Sequence, residues 1–96
     1  MTAERRSETG EACVIDLVLT HGWYDKVEAG EKRVEYRTPT PFWLKRIWAR
    51  RHEITHLRVR RGYTSRSLTF PVSAIDNGPC PYSGWVGQFI RIHFTD

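Results

Sequence analysis

Two clusters in this 96-residue chain combine residue types that could do chemistry. The first is residues 30–37, Gly-Glu-Lys-Arg-Val-Glu-Tyr-Arg, where Gly30, Lys32, Glu35 and Arg37 set two cations and a carboxylate beside a flexible backbone position. Lys32 and Arg37 can donate to a phosphate or a base carbonyl, while Glu35 can accept from an exocyclic amine or orient its neighbours. Glycine at 30 permits a tight turn and a close backbone approach. If Lys32, Glu35 and Arg37 converge on one phosphate, Glu35 could act as general base and the two cations could stabilise developing charge, a catalytic set that needs no metal. The same three side chains could instead form a local ion-pair cluster that pins a strand to the rest of the fold.

The second cluster is His52-Glu53-Ile54-Thr55-His56, an H-E-x-x-H pattern. That pattern binds zinc only when a helix puts both histidines on one face. Here the segment alternates like a strand, carries β-branched Ile54 and Thr55, and has no evident third ligand. A strand would hold His52 and His56 ~13 Å apart. No metal and no cofactor is therefore expected, and the two histidines are expected to add polar contacts to a basic surface.

That surface is implied by charge. Residues 43–66 hold Lys45, Arg46, Arg50, Arg51, Arg58, Arg60, Arg61 and Arg66 against Glu53 alone, a local +7 in a chain whose formal net charge is +4. An arginine-rich stretch suits phosphate, because the guanidinium fork offers paired donors and stacks on bases. Lys45, Arg46, Arg50, Arg51, Arg58, Arg60 and Arg66 are the candidates for a nucleic-acid backbone. The bland alternative is a solvated surface with scattered ion pairs. Among Trp23, Tyr36, Trp43, Tyr63, Tyr82 and Trp85, most are expected in the core. Tyr63, close to Arg61, and Trp85, in a glycine-rich loop, are the better candidates to contact a ligand, and a stacked base is worth about 1–3 kcal/mol. His21 could line a cleft or simply begin a helix.

Residues 13–19 place Ile15, Leu17 and Leu19 on one face and predict a first strand. Residues 20–30 change period, with Trp23 and Val27 four apart and Gly30 as a left-handed stop, and predict a short helix. Residues 32–37 predict a strand with Val34 and Tyr36 on one side and Arg33, Glu35 and Arg37 on the other, the charged side facing away from a dry core. That parity leaves Lys32 out of phase unless the turn after Gly30 rotates it. Thr40 as cap and Pro41 at the first helical position open a second helix carrying Leu44, Ile47 and Trp48. Strands follow at residues 54–61, around Leu68, Phe70 and Val72, and at residues 89–94, with a long loop at 76–87. Five strands and two short helices make an α+β fold, a small, partly closed, mostly antiparallel β-barrel whose closure removes exposed edges.

Length allows one domain, residues 12–96, behind a flexible polar tail at 1–11. No apolar run approaches the roughly 18 residues of a membrane span. Two cysteines, Cys13 and Cys80, form neither a disulfide framework nor a metal-ligand pair, so a reduced cytoplasm is the expected setting. Oligomeric state is left open.

Residues 30–37 resemble the G-x-K-x-x-E-x-R signature of the ASCH superfamily, named after activating signal cointegrator homology, with all four signature positions filled. A strand and a Trp-containing helix precede the motif and a Pro-aromatic segment follows it. Arg61-Gly62-Tyr63 looks like the family's Gly-Tyr strand end, so the resemblance spans residues 14–94. It implies a PUA-like barrel that binds RNA or a nucleotide in a cleft between barrel and helices, with Gly30, Lys32, Glu35, Arg37, Arg61, Tyr63 and Trp85 as ligand contacts. Some ASCH proteins are similar to amidohydrolases that remove an acyl group from N4-acetylcytidine with a Lys, a Thr and a Glu. Lys32 stands at the lysine position, but Glu35 stands where the nucleophilic threonine would be, no downstream glutamate matches, and Thr38 or Thr40 would have to substitute. Others look like ribonucleases, for which Lys32, Glu35 and Arg37 would be the catalytic set. The expectation is an RNA- or nucleotide-binding domain with a basic cleft and at most weak hydrolysis of RNA or a modified nucleoside; one alternative is an active ribonuclease or N4-acetylcytidine amidohydrolase-like enzyme, and the other a protein-interaction module for an acidic partner.

Overall fold

A computed structural model describes residues 11–96 of the chain. Apart from Glu11, the tail expected at residues 1–11 lies outside the described residues. Strand β1 (Val14–Leu19) alternates strictly, with Ile15, Leu17 and Leu19 buried and their neighbours exposed. Helix α1 (His21–Glu28) buries Tyr24 and Val27 against that face. It ends on Gly30, whose φ of 83° lets the Gly30 amide donate to the Val27 carbonyl and the Glu31 amide to the Lys26 carbonyl. Those two bonds satisfy carbonyls that the helix end would otherwise orphan and reverse the chain into β2 (Val34–Arg37).

Helix α2 (Pro41–Arg46) begins as its sequence dictates. The Thr40 hydroxyl accepts from the Trp43 amide at 3.3 Å and Pro41 takes the first helical position. Lys45 and Arg46 occupy its last turn, where positive charge complements the carbonyl end of the helix. A 3-10 turn (Trp48–Arg50) leads to β3 (His56–Arg61), in which Leu57 and Val59 are fully buried. Strand β4 (Ser67–Gly78) and strand β5 (Phe89–Phe94) complete the sheet.

The five strands lie in the order β1-β3-β4-β5-β2. β1 runs parallel to β3, and the other three ladders are antiparallel. The sheet curls into a half-barrel around a core of aliphatic side chains from all strands but β2, joined by Phe70, Phe94 and the inward face of α1. The expected removal of edges is not met, because β1 and β2 both remain edge strands with no ladder between them. The gap between these edges positions the site.

Two departures from the sequence expectation have local causes. β4 continues through Asp76, Asn77 and Gly78, where a loop was expected, because these residues pair with Arg91, Ile90 and Phe89 of β5. A long-range ladder thus overrides the turn propensity of Asn-Gly. A bulge between Val72 and Ala74 also shifts the alternation, so that Val72 and Ile75, three apart, both point inward.

Candidate ligand-binding cleft

The curl of the sheet brings the end of β1 close to β2, and a cleft of about 170 Å³ opens between them. Val18, Leu19 and Thr20 come from the end of β1, and Trp23 from the first turn of α1. Lys32, Glu35, Tyr36 and Arg37 come from β2 and the turn before it, and Tyr82 and Trp85 from the loop that precedes β5. The aromatic walls are coupled: Trp23 to Tyr82 at 5.0 Å between ring centroids, Tyr36 to Tyr82 at 5.4 Å, and Tyr82 to Trp85 at 5.9 Å.

Glu35 is 1% exposed, so the expectation that the charged side of β2 faces away from a dry core is corrected. Its register partner is the fully buried Ile92, which places it on the inner face of the half-barrel. Burial of the carboxylate is compensated because both oxygens have cationic partners. Lys32, itself 8% exposed, donates to Oε1, and Arg37 donates to Oε2 at 2.9 Å. Lys32 reaches Glu35 because the left-handed turn at Gly30 releases it from strand parity, and its ammonium also lies 4.8 Å from the centroid of Trp23. Arg33 takes a different course: its guanidinium donates to the Val27 and Lys32 carbonyls, pairs with Asp96 and lies over Phe70, outside the cleft.

Chemically, the floor carries two cations and one carboxylate, a net positive charge that suits an anion, under walls that suit a planar ring. Burial pushes the Tyr36 and Tyr82 hydroxyls above their ordinary titration range, so both are neutral hydrogen-bonding groups at neutral pH. With its two oxygens committed to Lys32 and Arg37, Glu35 orients the cations.

The other residues singled out by sequence fall in several places. Trp85 lines the cleft. Gly30 does not line it and acts through its turn. Arg61 lies outside, paired with Asp25 at 2.9 Å and beside His21, and Tyr63 is 97% exposed at the tip of the β3–β4 turn. Arg58 and Arg60 pair with Asp16 at 3.3 and 2.8 Å, and Arg66 with Glu28 at 2.8 Å. Arg51 donates to the Trp48 carbonyl and stacks on its ring. Lys45, Arg46 and Arg50 surround a second concavity with Phe42. Thr38 and Thr40 do not line the cleft, and Thr40 is committed to its helix cap.

The H-E-x-x-H segment is not helical, and the strand expected from residue 54 begins only at His56: His52 and Glu53 sit in a turn, and His56 opens β3 with its Nδ1 2.8 Å from the Thr55 hydroxyl. Among the described residues, no three His, Cys, Asp or Glu side chains gather as a metal site. Also among them, no helix is long and apolar enough to cross a membrane.

Sequence reasoning missed Thr20 and ranked Trp23 and Tyr82 behind Tyr63. A signal for Thr20 exists in the chain. It precedes α1 as a cap residue, yet Trp23 stands where a capping box needs Glu or Gln, and its hydroxyl makes no cap hydrogen bond. Compared with family models, curated proteins and solved structures, the chain finds no match.

Proposed function

We propose that this chain binds RNA or a nucleotide in the cleft between β1 and β2, as an ASCH-type domain of PUA-like architecture working in the cytoplasm. The observation that carries this reading is the Lys32–Glu35–Arg37 network buried at the floor of an aromatic-walled cleft. A buried ion network contributes little net stability compared with apolar packing of the same volume. Its position under Trp23, Tyr82 and Trp85 suits a ligand with a phosphate or carbonyl at one end and a planar base at the other. Support for the family is the filled G-x-K-x-x-E-x-R pattern, together with its placement on a helix, a glycine turn and a strand. The two free cysteines agree with a reducing compartment.

A hydrolytic reading has one observation in its favour. Thr20, whose hydroxyl caps no helix amide, lines the same cleft as Lys32, so a nucleophile and a cation share one site.

Fluorescence anisotropy with a labelled RNA and with cytidine monophosphate, at low salt, tests the binding. Wild type binds, and Lys32→Ala, Glu35→Gln and Trp23→Ala each weaken binding. Negligible affinity of the wild type for both probes would end the proposal. The same proteins incubated with labelled RNA and with N4-acetylcytidine decide the hydrolytic reading, since turnover that Thr20→Val or Lys32→Ala abolishes makes the site an enzyme.

A further inference from the structure

We infer that the ligand is single-stranded RNA longer than one nucleotide, and that its phosphodiester backbone leaves the cleft across α2, over Phe42, Lys45, Arg46 and Arg50. The inference rests on the cleft binding proposed above and adds the direction and chemistry of the rest of the ligand.

The charge of residues 43–66 is not evenly available. Four of its eight cations are paired with three acids from β1 and α1: Arg58 and Arg60 share Asp16, Arg61 meets Asp25, and Arg66 meets Glu28. Arg51 is folded back on its own turn. Among the described residues no carboxylate pairs with Lys45 or Arg46, and the one beside Arg50 is the exposed Glu53 at 3.8 Å. Most of the positive charge that survives therefore lies on α2 and the turn after it, with one uncancelled arginine charge left beside Asp16. These three cations ring a concavity of about 350 Å³ whose apolar wall is Phe42, 54% exposed.

A chain of side-chain contacts links this patch to the cleft. The Arg37 guanidinium, which holds Glu35 at the cleft floor, lies 5.5 Å from the centroid of Trp43. Trp43 meets Phe42 edge to face at 4.8 Å, and the Arg46 guanidinium covers Phe42 at 4.5 Å. Cation, ring, ring and cation thus run from the floor of the cleft to the outer face of α2. Alternating cations and aromatic faces track a single strand, the cations meeting phosphates and the rings meeting bases. A mononucleotide filling the cleft would leave this surface unused.

The test compares cytidine monophosphate with an unstructured RNA of about eight nucleotides, a length within the range that small folds bind. The proteins are wild type, Lys32→Ala, and the triple variant Lys45→Ala, Arg46→Ala, Arg50→Ala, whose folding is checked by circular dichroism. All three substituted side chains of the triple variant are exposed. It is expected to bind the octamer at least about tenfold more weakly and to lose roughly 2 from the salt slope, since each single-strand phosphate contact contributes about 0.7. Its affinity for the mononucleotide stays that of wild type. An octamer affinity and salt slope unchanged in the triple variant, with a folded Lys32→Ala still weakening the binding of both ligands, overturns the α2 path and leaves the cleft reading standing. Failure of wild type to bind either ligand removes the cleft reading itself. Loss of binding to phosphatidylserine vesicles in the triple variant, with RNA binding intact, assigns α2 to a membrane surface and overturns the path as well.

Discussion

Lys32 and Glu35 meet as a buried ion pair, although strand alternation from residue 32 onward would put them on opposite faces of β2. The left-handed residue at Gly30 resolves the conflict, because β2 begins only at Val34 and the turn before it is free to swing Lys32 inward. One carboxylate then serves two cations, with Arg37 on its other oxygen.

That arrangement predicts strong coupling. Removing one partner of a buried pair leaves an uncompensated charge and typically costs about 3–5 kcal/mol. Lys32→Met or Glu35→Leu alone is therefore expected to destabilise the domain by an amount of that order in urea unfolding. The double variant Lys32→Met, Glu35→Leu is expected to be less destabilised than the sum, by an interaction term of about 0.5–3 kcal/mol. Strict additivity would mean that the two groups do not interact in solution.

Two glycines with positive φ are expected to respond differently to a methyl group. Gly30 has φ 83°, and an added Cβ would meet only the Arg33 guanidinium, at an ordinary 3.5 Å. Gly30→Ala should cost about 1–2 kcal/mol from backbone strain alone. Gly62 has φ 58°, and its Cβ would stand 2.9 Å from His21 Nε2. Gly62→Ala is expected to cost more than Gly30→Ala, and adding His21→Ala should recover part of the difference, as thermal denaturation of the three variants would show.

Acid stability has a definite sign. Hydrogen bonds from Arg60 hold the Asp16 carboxyl below its ordinary value of 3.8, and those from Arg91 do the same for Asp76. A carboxylate whose pKa is lower folded than unfolded adds stability that is fully present above the unfolded value and is lost as pH falls through the folded one. Both pairs are partly exposed, so solvent screening keeps each contribution small. Titrating urea stability downward from pH 5 should reveal a loss below about 4. Asp16→Asn and Asp76→Asn should each flatten that loss while lowering stability at pH 7. A variant that kept the full acid slope would show that its aspartate is not a source of it.

The elements were legible wherever one local rule sufficed. Alternation at Ile15, Leu17 and Leu19, the Thr40-Pro41 helix start and the Gly30 helix stop all read directly from the chain. The site was legible only in part, because it depends on which strands become edges. Nothing local to residues 14–20 or 32–37 says that β1 and β2 lie at opposite ends of the sheet order and face each other across its curl, and this alone recruits Thr20 to the cleft. Burial of Glu35 was hidden for a related reason: a lone acid in a strand reads as solvent-facing until its two cationic partners are placed. The arginines of β3 and of the turn after it were misleading in the other direction, since their partners Asp16, Asp25 and Glu28 lie more than 30 positions away in the chain.

Tyr63 and Tyr82 give the sharpest contrast between the two levels of description. By sequence, Tyr63 stands beside Gly62 and a run of arginines and looks the better base-stacking residue. In the fold its ring is almost wholly exposed, at the tip of a turn away from the cleft, whereas Tyr82 packs against both Trp23 and Tyr36 on the cleft wall. Tyr63→Ala is expected to change stability by no more than about 0.5 kcal/mol, as for other isolated surface positions, and to leave RNA affinity unaltered. Tyr82→Phe should keep most of the affinity, because the ring survives. Tyr82→Ala should lose about 1–3 kcal/mol of binding, the usual worth of one base-stacking ring. Anisotropy titrations of the three variants check this ranking. A loss of RNA affinity in Tyr63→Ala that exceeds the loss in Tyr82→Ala would move the ligand from the β1–β2 cleft to the β3–β4 turn.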